Sequence, residues 1–284
     1  LLSTGGTALA LRAAGLEVVD VSSHTGHPEI MNGRVKTLHP RIHGGILGQR
    51  DEHAEEAARL DIPWIDVVAC NLYPFERTVS TGEASRGDAV ENIDIGGPSM
   101  IRSAAKNHAD VTVLVDPSDY GPVVTELAEQ GRVSDQTRRA LALKAFRHTA
   151  AYDAVIAEWL GRQEPTPALP ADGARAQRLH SALRYGENPH QKAGFYADPL
   201  PAGRSLARVV QIQRKPLSFN NLADLDGALR AVFELDQPGC VVVKHMNPCG
   251  AATHPDGSAA AFDLALSADP ISAYGGIVAF NRPV

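Results

Sequence analysis

The feature that most constrains this chain is its alternation of short β-branched runs with helical stretches, joined by turns that carry glycine or proline. Residues 17–21, 65–70 and 111–115 read as strands, the second of them buried. Between them lie a helix over residues 8–14 stopped by Gly15 and a helix from Asp51 through Ala54, Ala57 and Leu60. A third covers residues 99–106, with Pro98 suited to its first position. Residues 120–130 form a further helix closed by Gly131, and Ser134 caps a long one running to about Leu160. Strands and helices in this order predict an α/β fold with a parallel, doubly wound sheet, whose ligands gather beyond the carboxyl ends of the strands. Residues 4–7 and 71–73 each follow a strand and fall on that edge.

The chemistry concentrates in residues 32–47, where Arg34, Lys36, Thr37, His39, Arg41 and His43 sit among glycines and a proline in a chain of formal net charge -6. Local positive charge in an acidic chain suits an anion: arginine offers a planar fork, lysine a movable point charge, threonine and free backbone N–H groups the remaining donors. A solvated basic surface loop is the alternative. The glycine turn at residues 4–7 precedes a helix N-terminus, a natural anion corner. Residues 93–98 repeat that arrangement, with Asp94 placed to cap or to orient a donor. On pattern alone, Lys106 is a cation complementing a helix C-terminus, and His148 and Tyr152 are core or face residues.

At 284 residues, 44% hydrophobic and 21% charged, the chain is long enough for two globular domains. It has no apolar run of the roughly 18–20 residues that cross a bilayer and no signal-peptide pattern. Cys70, Cys240 and Cys249 are too few and too scattered for a disulfide framework or a zinc pair, which fits a cytoplasmic protein without a metal site. A pI near 6.0 disfavours nucleic acid as a partner. The start at Leu1 and the strand-like run before Val284 read as the interior of a longer protein lacking both ends.

Residues 161–176, with Pro165, Pro167 and Pro170, have the composition of an exposed linker. The expected organisation is therefore residues 1–162, a linker at 163–176, and a second domain at 177–284. There, residues 183–191 are dense in polar recognition groups, Asn221 is a fair cap for a helix over 222–235, and residues 240–243 form a buried strand. That strand delivers Lys244 and His245, with a Pro-Gly loop after them, a pairing that suggests chemistry. Cys249 lacks a base placed by any local pattern.

The motifs at residues 3–7, 33–40, 70–75 and 94–108 together resemble the inosine monophosphate cyclohydrolase domain of the bifunctional purine biosynthesis family. The resemblance implies a methylglyoxal-synthase-like fold, with Thr4, Gly5, Gly6 and Thr7 and then Arg34, Val35, Lys36 and Thr37 on the nucleotide phosphate and ribose. It further implies that Cys70, Asn71, Asp94 and Ile95 line the base, that Lys106 is the proton donor and acceptor, and that Lys36, Tyr73 and Asp94 assist ring closure. Arg184-Tyr185-Gly186, Lys244-His245 and residues 272–276 resemble the formyltransferase domain of the same family, an α/β domain of cytidine-deaminase-like fold. Tyr274 departs from the phenylalanine common there. That resemblance implies formyl transfer from 10-formyltetrahydrofolate to aminoimidazole carboxamide ribonucleotide. His245 would act as base, Lys244 would stabilise charge, and Arg184, Tyr185 and Gly275 would hold the nucleotide. It implies no metal or redox cofactor, nucleotide substrates, a homodimer, and neither nucleic acid nor membrane as partner. A chain truncated at both ends is expected to lack the formyltransferase activity.

Two other readings share the first domain's fold: a methylglyoxal-synthase-like phosphate lyase, and a non-enzymatic nucleotide-binding regulatory domain. The lyase leaves Lys244-His245 and Arg184-Tyr185 without a role. The regulatory domain leaves Lys36, Tyr73 and Lys106 superfluous.

Overall fold

A computed structural model describes residues 1–164, 170–200, 203–213 and 215–284. Pro165 and Pro167 of the expected linker lie outside the described residues. The chain divides into two compact units, Leu1–Ala176 and Gln177–Val284.

The first unit opens with β1 (Leu2–Ser3), α1 (Gly5–Ala13), β2 (Val19–Asp20) and α2 (Val21–Thr25). After a single 3₁₀ turn at Met31–Gly33 come α3 (Pro40–Leu47), α4 (Ala54–Arg59), β3 (Val67–Ala69), α5 (Phe75–Ser80) and α6 (Arg86–Glu91). The unit closes with α7 (Gly96–Lys106), β4 (Thr112–Leu114), α8 (Tyr120–Gln130) and the long α9 (Asp135–Gln163). β1 pairs with β2 and β3 with β4, both in parallel, as the alternation predicts. The strands are shorter than their apolar runs, and β3 is buried only at its centre, Val68. Two helices start earlier than expected: α1 takes Gly5 and Gly6 into its first turn, and α7 starts at Gly96, so Pro98 is its third residue. The second half of the basic stretch is helix, not loop, with the His39 imidazole accepting the Arg41 N–H at its start.

The core of this unit is built from Ile42 and Ile46 of α3, Ile101, Ala104 and Ala105 of α7, Val113 of β4, and Leu141 and Ala145 of α9. α9 holds α7 at both ends. At one end the Tyr152 hydroxyl accepts the Asp94 N–H at 2.9 Å and donates to the Asn92 carbonyl at 3.2 Å. At the other, Arg138 Nε donates to the His108 carbonyl at 2.9 Å. The Ser134 side chain caps α9 through the Thr137 N–H, and Gly131 (φ 69°) ends α8, both where the sequence puts them.

The second unit contains β5 (Arg178–Ala182), β6 (Gly194–Ala197), α10 (Phe219–Phe233), β7 (Gly239–Lys244), β8 (Asn247–Thr253), α11 (Ser258–Ala268), α12 (Pro270–Ala273) and β9 (Ile277–Phe280). β5 and β6 form an antiparallel pair. β7 is the central strand of a three-stranded sheet, with β8 and β9 both antiparallel to it. Its apolar run is explained by burial on both faces: Val241 and Val243 pack with Ala228 and Val232 of α10, while Cys240 and Val242 pack with Ala261 and Ala265 of α11. Fully burying such aliphatic side chains contributes roughly 1.5–3 kcal/mol each. α10 begins earlier than the expected 222–235. Ser218 is the cap, and Asn221 answers it as the reciprocal member of a capping box.

Candidate active sites

In the first unit, four separated motifs meet at the carboxyl ends of the strands. β1 runs straight into Thr4 and α1, whose first intrahelical bond is Ala8 N–H to Thr4 O, 3.3 Å. The N–H groups of Gly5, Gly6 and Thr7 precede that bond, so they have no acceptor within the helix. The Thr4 hydroxyl donates to Glu29, whose other carboxylate oxygen is 3.2 Å from Lys36 Nζ. The Thr4 hydroxyl bond, ahead of the lysine, holds the Glu29 carboxyl below its ordinary range. A carboxylate thus bridges the glycine turn and the basic stretch.

Arg34 is forked onto the exposed carboxylate of Glu91. The turn between Ile30 and Val35 is closed by their mutual backbone bridge. Thr37 abuts the start of α7, where a Cβ on Gly96 would lie 2.6 Å from the Thr37 hydroxyl. Only glycine permits that approach.

Asp94 joins the third motif to the fourth. One of its oxygens accepts the Gly97 N–H at 2.8 Å and the other the Tyr73 N–H at 3.4 Å. Cys70 extends the β3–β4 ladder through Leu114 O, and burial, followed by the charge of Asp94, pushes its thiol up to about 11. Asn71 reaches the Tyr120 hydroxyl, while Tyr73 and Ile95 are exposed at the rim. Lys36 also lines a cleft of ≈ 210 Å³ with His27, Leu38 and His39. That is less than the roughly 300–1,000 Å³ of an enclosing ligand pocket.

Lys106 is not brought to this cluster. It is exposed at the last residue of α7, and at 1.5 Å per residue the helix puts it about 15 Å from Gly96. Its position is the one its pattern suggested, a cation at a helix C-terminus. Conversely, Tyr152, read from the sequence as a core or face residue, positions Asp94. Glu29 and Tyr120 were not singled out at all. Glu29 could have been noticed as an acid within reach of a basic stretch, whereas Tyr120 and Tyr152 carry no local signal.

In the second unit, the residue 184–185 segment is held against residues 217–219 by Arg184 N–H to Leu217 O, 3.1 Å, and Phe219 N–H to Tyr185 O, 3.2 Å. The Arg184 guanidinium lies 4.8 Å from the Tyr185 ring centroid and donates to its hydroxyl at 3.0 Å. Arg184, Lys215, Leu217, Asn221 and Ile277 line a cleft of ≈ 380 Å³. Ile277 pairs with Val243, so the same cleft borders the end of β7. Lys244 Nζ donates to the Tyr274 carbonyl at 2.9 Å, next to Gly275 at φ 76°.

Lys244 and His245 do not leave the strand into a Pro-Gly loop. Lys244 pairs with Asn247, leaving His245 and Met246 as the two-residue tip of a hairpin. Pro248 and Gly250 lie in β8, an edge strand, where proline costs no ladder bond. The register skips at Cys249, whose thiol donates to the Val242 carbonyl at 3.5 Å. Among the described residues, no three His, Cys, Asp or Glu side chains are grouped as a metal would need, and no helix is long and apolar enough to cross a membrane.

Residues 104–284 match the family model of the AICARFT/IMPCHase bienzyme, and residues 1–99 match that of the MGS-like domain. The junction between the two matches falls inside α7, so it is not a boundary of packing. Curated relatives named bifunctional purine biosynthesis protein PurH resemble the whole chain. The one from Halalkalibacterium halodurans is 54% identical over 290 residues, and the one from Sorangium cellulosum 53% identical over 294. Each alignment takes in 100% of this chain and 56% of the relative, so the chain spans little more than half the length of the curated relatives it matches. A solved structure described as the crystal structure of ForH superposes with a TM-score of 0.51 at 40% identity, covering 56% of this chain and 83% of its own.

Proposed function

Because the chain belongs to the AICARFT/IMPCHase bienzyme family, we propose that it carries the machinery for two consecutive steps of inosine monophosphate synthesis. In this reading residues 177–284 contribute to formyl transfer from a reduced folate, 10-formyltetrahydrofolate, to the amine of aminoimidazole carboxamide ribonucleotide. Residues 1–162 close the ring, and residues 163–176 link the two.

The observation that carries the cyclohydrolase half is the convergence of Thr4, Lys36, Thr37, Tyr73 and Asp94 from four motifs on one strand edge. Gly5, Gly6 and Thr7 offer helix N-terminal N–H groups to a phosphate, joined by Val35, Lys36 and Thr37, and by Arg34 once it exchanges the Glu91 carboxylate for the ligand. Binding requires Lys36 to exchange the Glu29 carboxylate for the ligand's anion. Cys70, Asn71, Asp94 and Ile95 face the base. In ring closure the carboxamide nitrogen attacks the formyl carbon. The new C–N bond forms as the carbonyl oxygen takes a proton and the nitrogen loses one, and water then leaves. Lys36 and the Tyr73 hydroxyl suit the developing oxyanion. Lys106 is assigned the proton transfer by its motif alone, against its distance from Gly96.

In formyl transfer, His245 takes the proton of the weakly basic amine as its nitrogen bonds the formyl carbon; the bond from that carbon to the folate nitrogen then breaks, and the folate nitrogen takes up a proton as tetrahydrofolate departs. Lys244 offsets the charge on the formyl oxygen, while Arg184, Tyr185 and Gly275 hold the nucleotide. The protein acts on small molecules in the cytoplasm as a homodimer.

The test supplies the chain with formylaminoimidazole carboxamide ribonucleotide and follows inosine monophosphate. Production abolished by Lys36→Ala supports the reading. Absence of product, at the full length of the relatives as well, overturns it.

A further inference from the structure

The His245 imidazole stands at the tip of a two-residue hairpin, and among the described residues no hydrogen bond or ion pair holds the ring itself. Its direction is therefore set by the backbone of the turn. Both tip residues have left-handed backbone, φ 54° at His245 and 64° at Met246. A tight hairpin with two such residues matches the twist of its strands, but it favours Asn-Gly, because a side chain crowds the backbone in this region. His-Met fits it poorly and needs outside support.

That support acts on a single peptide group. The N–H of Met246 donates to Asp224 Oδ1 of α10 at 2.7 Å, and the carbonyl of the same peptide, belonging to His245, accepts from Asn247 Nδ2 at 2.8 Å. Asn247 belongs to the hairpin and moves with it. Asp224 belongs to α10, which packs on β7 through Ala228 and Val232, so its bond ties the tip to a rigid body. Gly227, one turn further along α10, leaves room for the Met246 carbonyl, 3.2 Å from where a Cβ would be. A carboxylate accepting a backbone N–H forms a strong, charge-assisted bond.

We infer that Asp224 is a positioning residue for formyl transfer, fixing the strained His245-Met246 turn so that the imidazole stands beside Lys244 in register with the reacting amine. The inference rests on the formyl-transfer reading. Without Asp224 the turn is free to relax out of the left-handed region. A displacement of about 1 Å at a reacting group costs on the order of 10²-fold in rate.

The experiment compares wild type, Asp224→Ala, Asp224→Asn and His245→Ala in the protein carried to the full length of its relatives. It measures tetrahydrofolate release, cyclohydrolase turnover as an internal check on folding, and hydrogen exchange at the Met246 amide. Asp224→Ala is expected to lower kcat for formyl transfer by about 10²-fold, with nucleotide KM little changed, cyclohydrolase turnover intact and Met246 exchanging fast. Asp224→Asn keeps an oxygen acceptor for the Met246 N–H, so it should recover most of kcat and the slow exchange. Wild-type kcat in Asp224→Ala beside an inactive His245→Ala overturns the positioning role and leaves the function standing. An Asp224→Asn as slow as Asp224→Ala also overturns it, since the acceptor would then be irrelevant. A fully active His245→Ala overturns instead the formyl-transfer reading on which the inference rests.

Discussion

The Thr37 hydroxyl and Gly96 are in contact so close that a single added methyl group would lie 2.6 Å from the oxygen. This contact joins the basic stretch to the N-terminus of α7. Gly96→Ala should therefore push Thr37 aside and weaken inosine monophosphate binding about tenfold or more, the loss of one good hydrogen bond to a charged group. The alanine also improves helix propensity, so the melting temperature should hold. Calorimetric titration beside a thermal melt checks both, and unchanged affinity would remove Thr37 from the ligand edge.

The two lysines make different predictions. Lys36→Ala removes a cation from the cluster and should abolish measurable nucleotide binding. Lys106→Ala should leave binding intact and, if its motif gives it the proton transfer, lower cyclohydrolase turnover by roughly 10²-fold or more. Wild-type turnover in Lys106→Ala would move the proton transfer to the ligand edge, where Lys36 stands.

Burial, and after it the charge of Asp94, pushes the Cys70 thiol up to about 11. At pH 8 only about one molecule in 10³ carries the thiolate, so alkylation should be about 10²-fold slower than that of a free cysteine. Timed iodoacetamide labelling with peptide mass spectrometry reads this directly. Labelling at the free rate would mean that the strand end opens in solution.

Lys144 Nζ is 2.7 Å from both Asp116 and Asp119. The lysine's hydrogen bond, then the Ser118 N–H, holds the Asp116 carboxyl well below the usual carboxylate range. A folded-state pKa lower than the unfolded one, about 3.9, stabilises the fold above that pH and is lost as the pH falls below it. Urea midpoints between pH 7 and pH 2 should fall less steeply in Asp116→Asn than in wild type. Parallel curves would show that the pair does not contribute.

Much of this architecture was legible because its signals are local. Gly131 and Ser134 mark the end of α8 and the start of α9, and the apolar run of β7 reports burial on both faces. What was missed depends on contacts distant in sequence or on glycine. Nothing in Gly5-Gly6 or Gly96-Gly97 announces a helix, since glycine disfavours one and is tolerated there only in the first turn. Ser218 and Asn221 are both good caps, and only the reciprocal bonding decides between them. The His245-Met246 hairpin lacks the Asn-Gly that betrays such turns. Tyr152 touches Asp94 from far along the chain, beyond any window of periodicity. The motifs named most of the candidate residues, but not their spacing: Lys106 belongs to the pattern in sequence and stands apart from the cluster in space.

The two grips of α9 on α7 make the long helix a ruler. Arg138 and Tyr152 are separated by about 21 Å of rise and lie within about 40° of each other around the axis. One residue inserted between them turns everything beyond by about 100°, so Tyr152 would swing off Asn92 and Asp94 while Arg138 stayed on His108. Seven inserted residues would restore the phase and overshoot the length by about 10 Å. No insertion satisfies both grips, whereas a surface substitution on the outer face of α9 disturbs neither. The stretch from 138 to 152 is therefore constrained in length more strictly than in composition, and an insertion scan along α9 should lose nucleotide binding within that interval before it loses the fold.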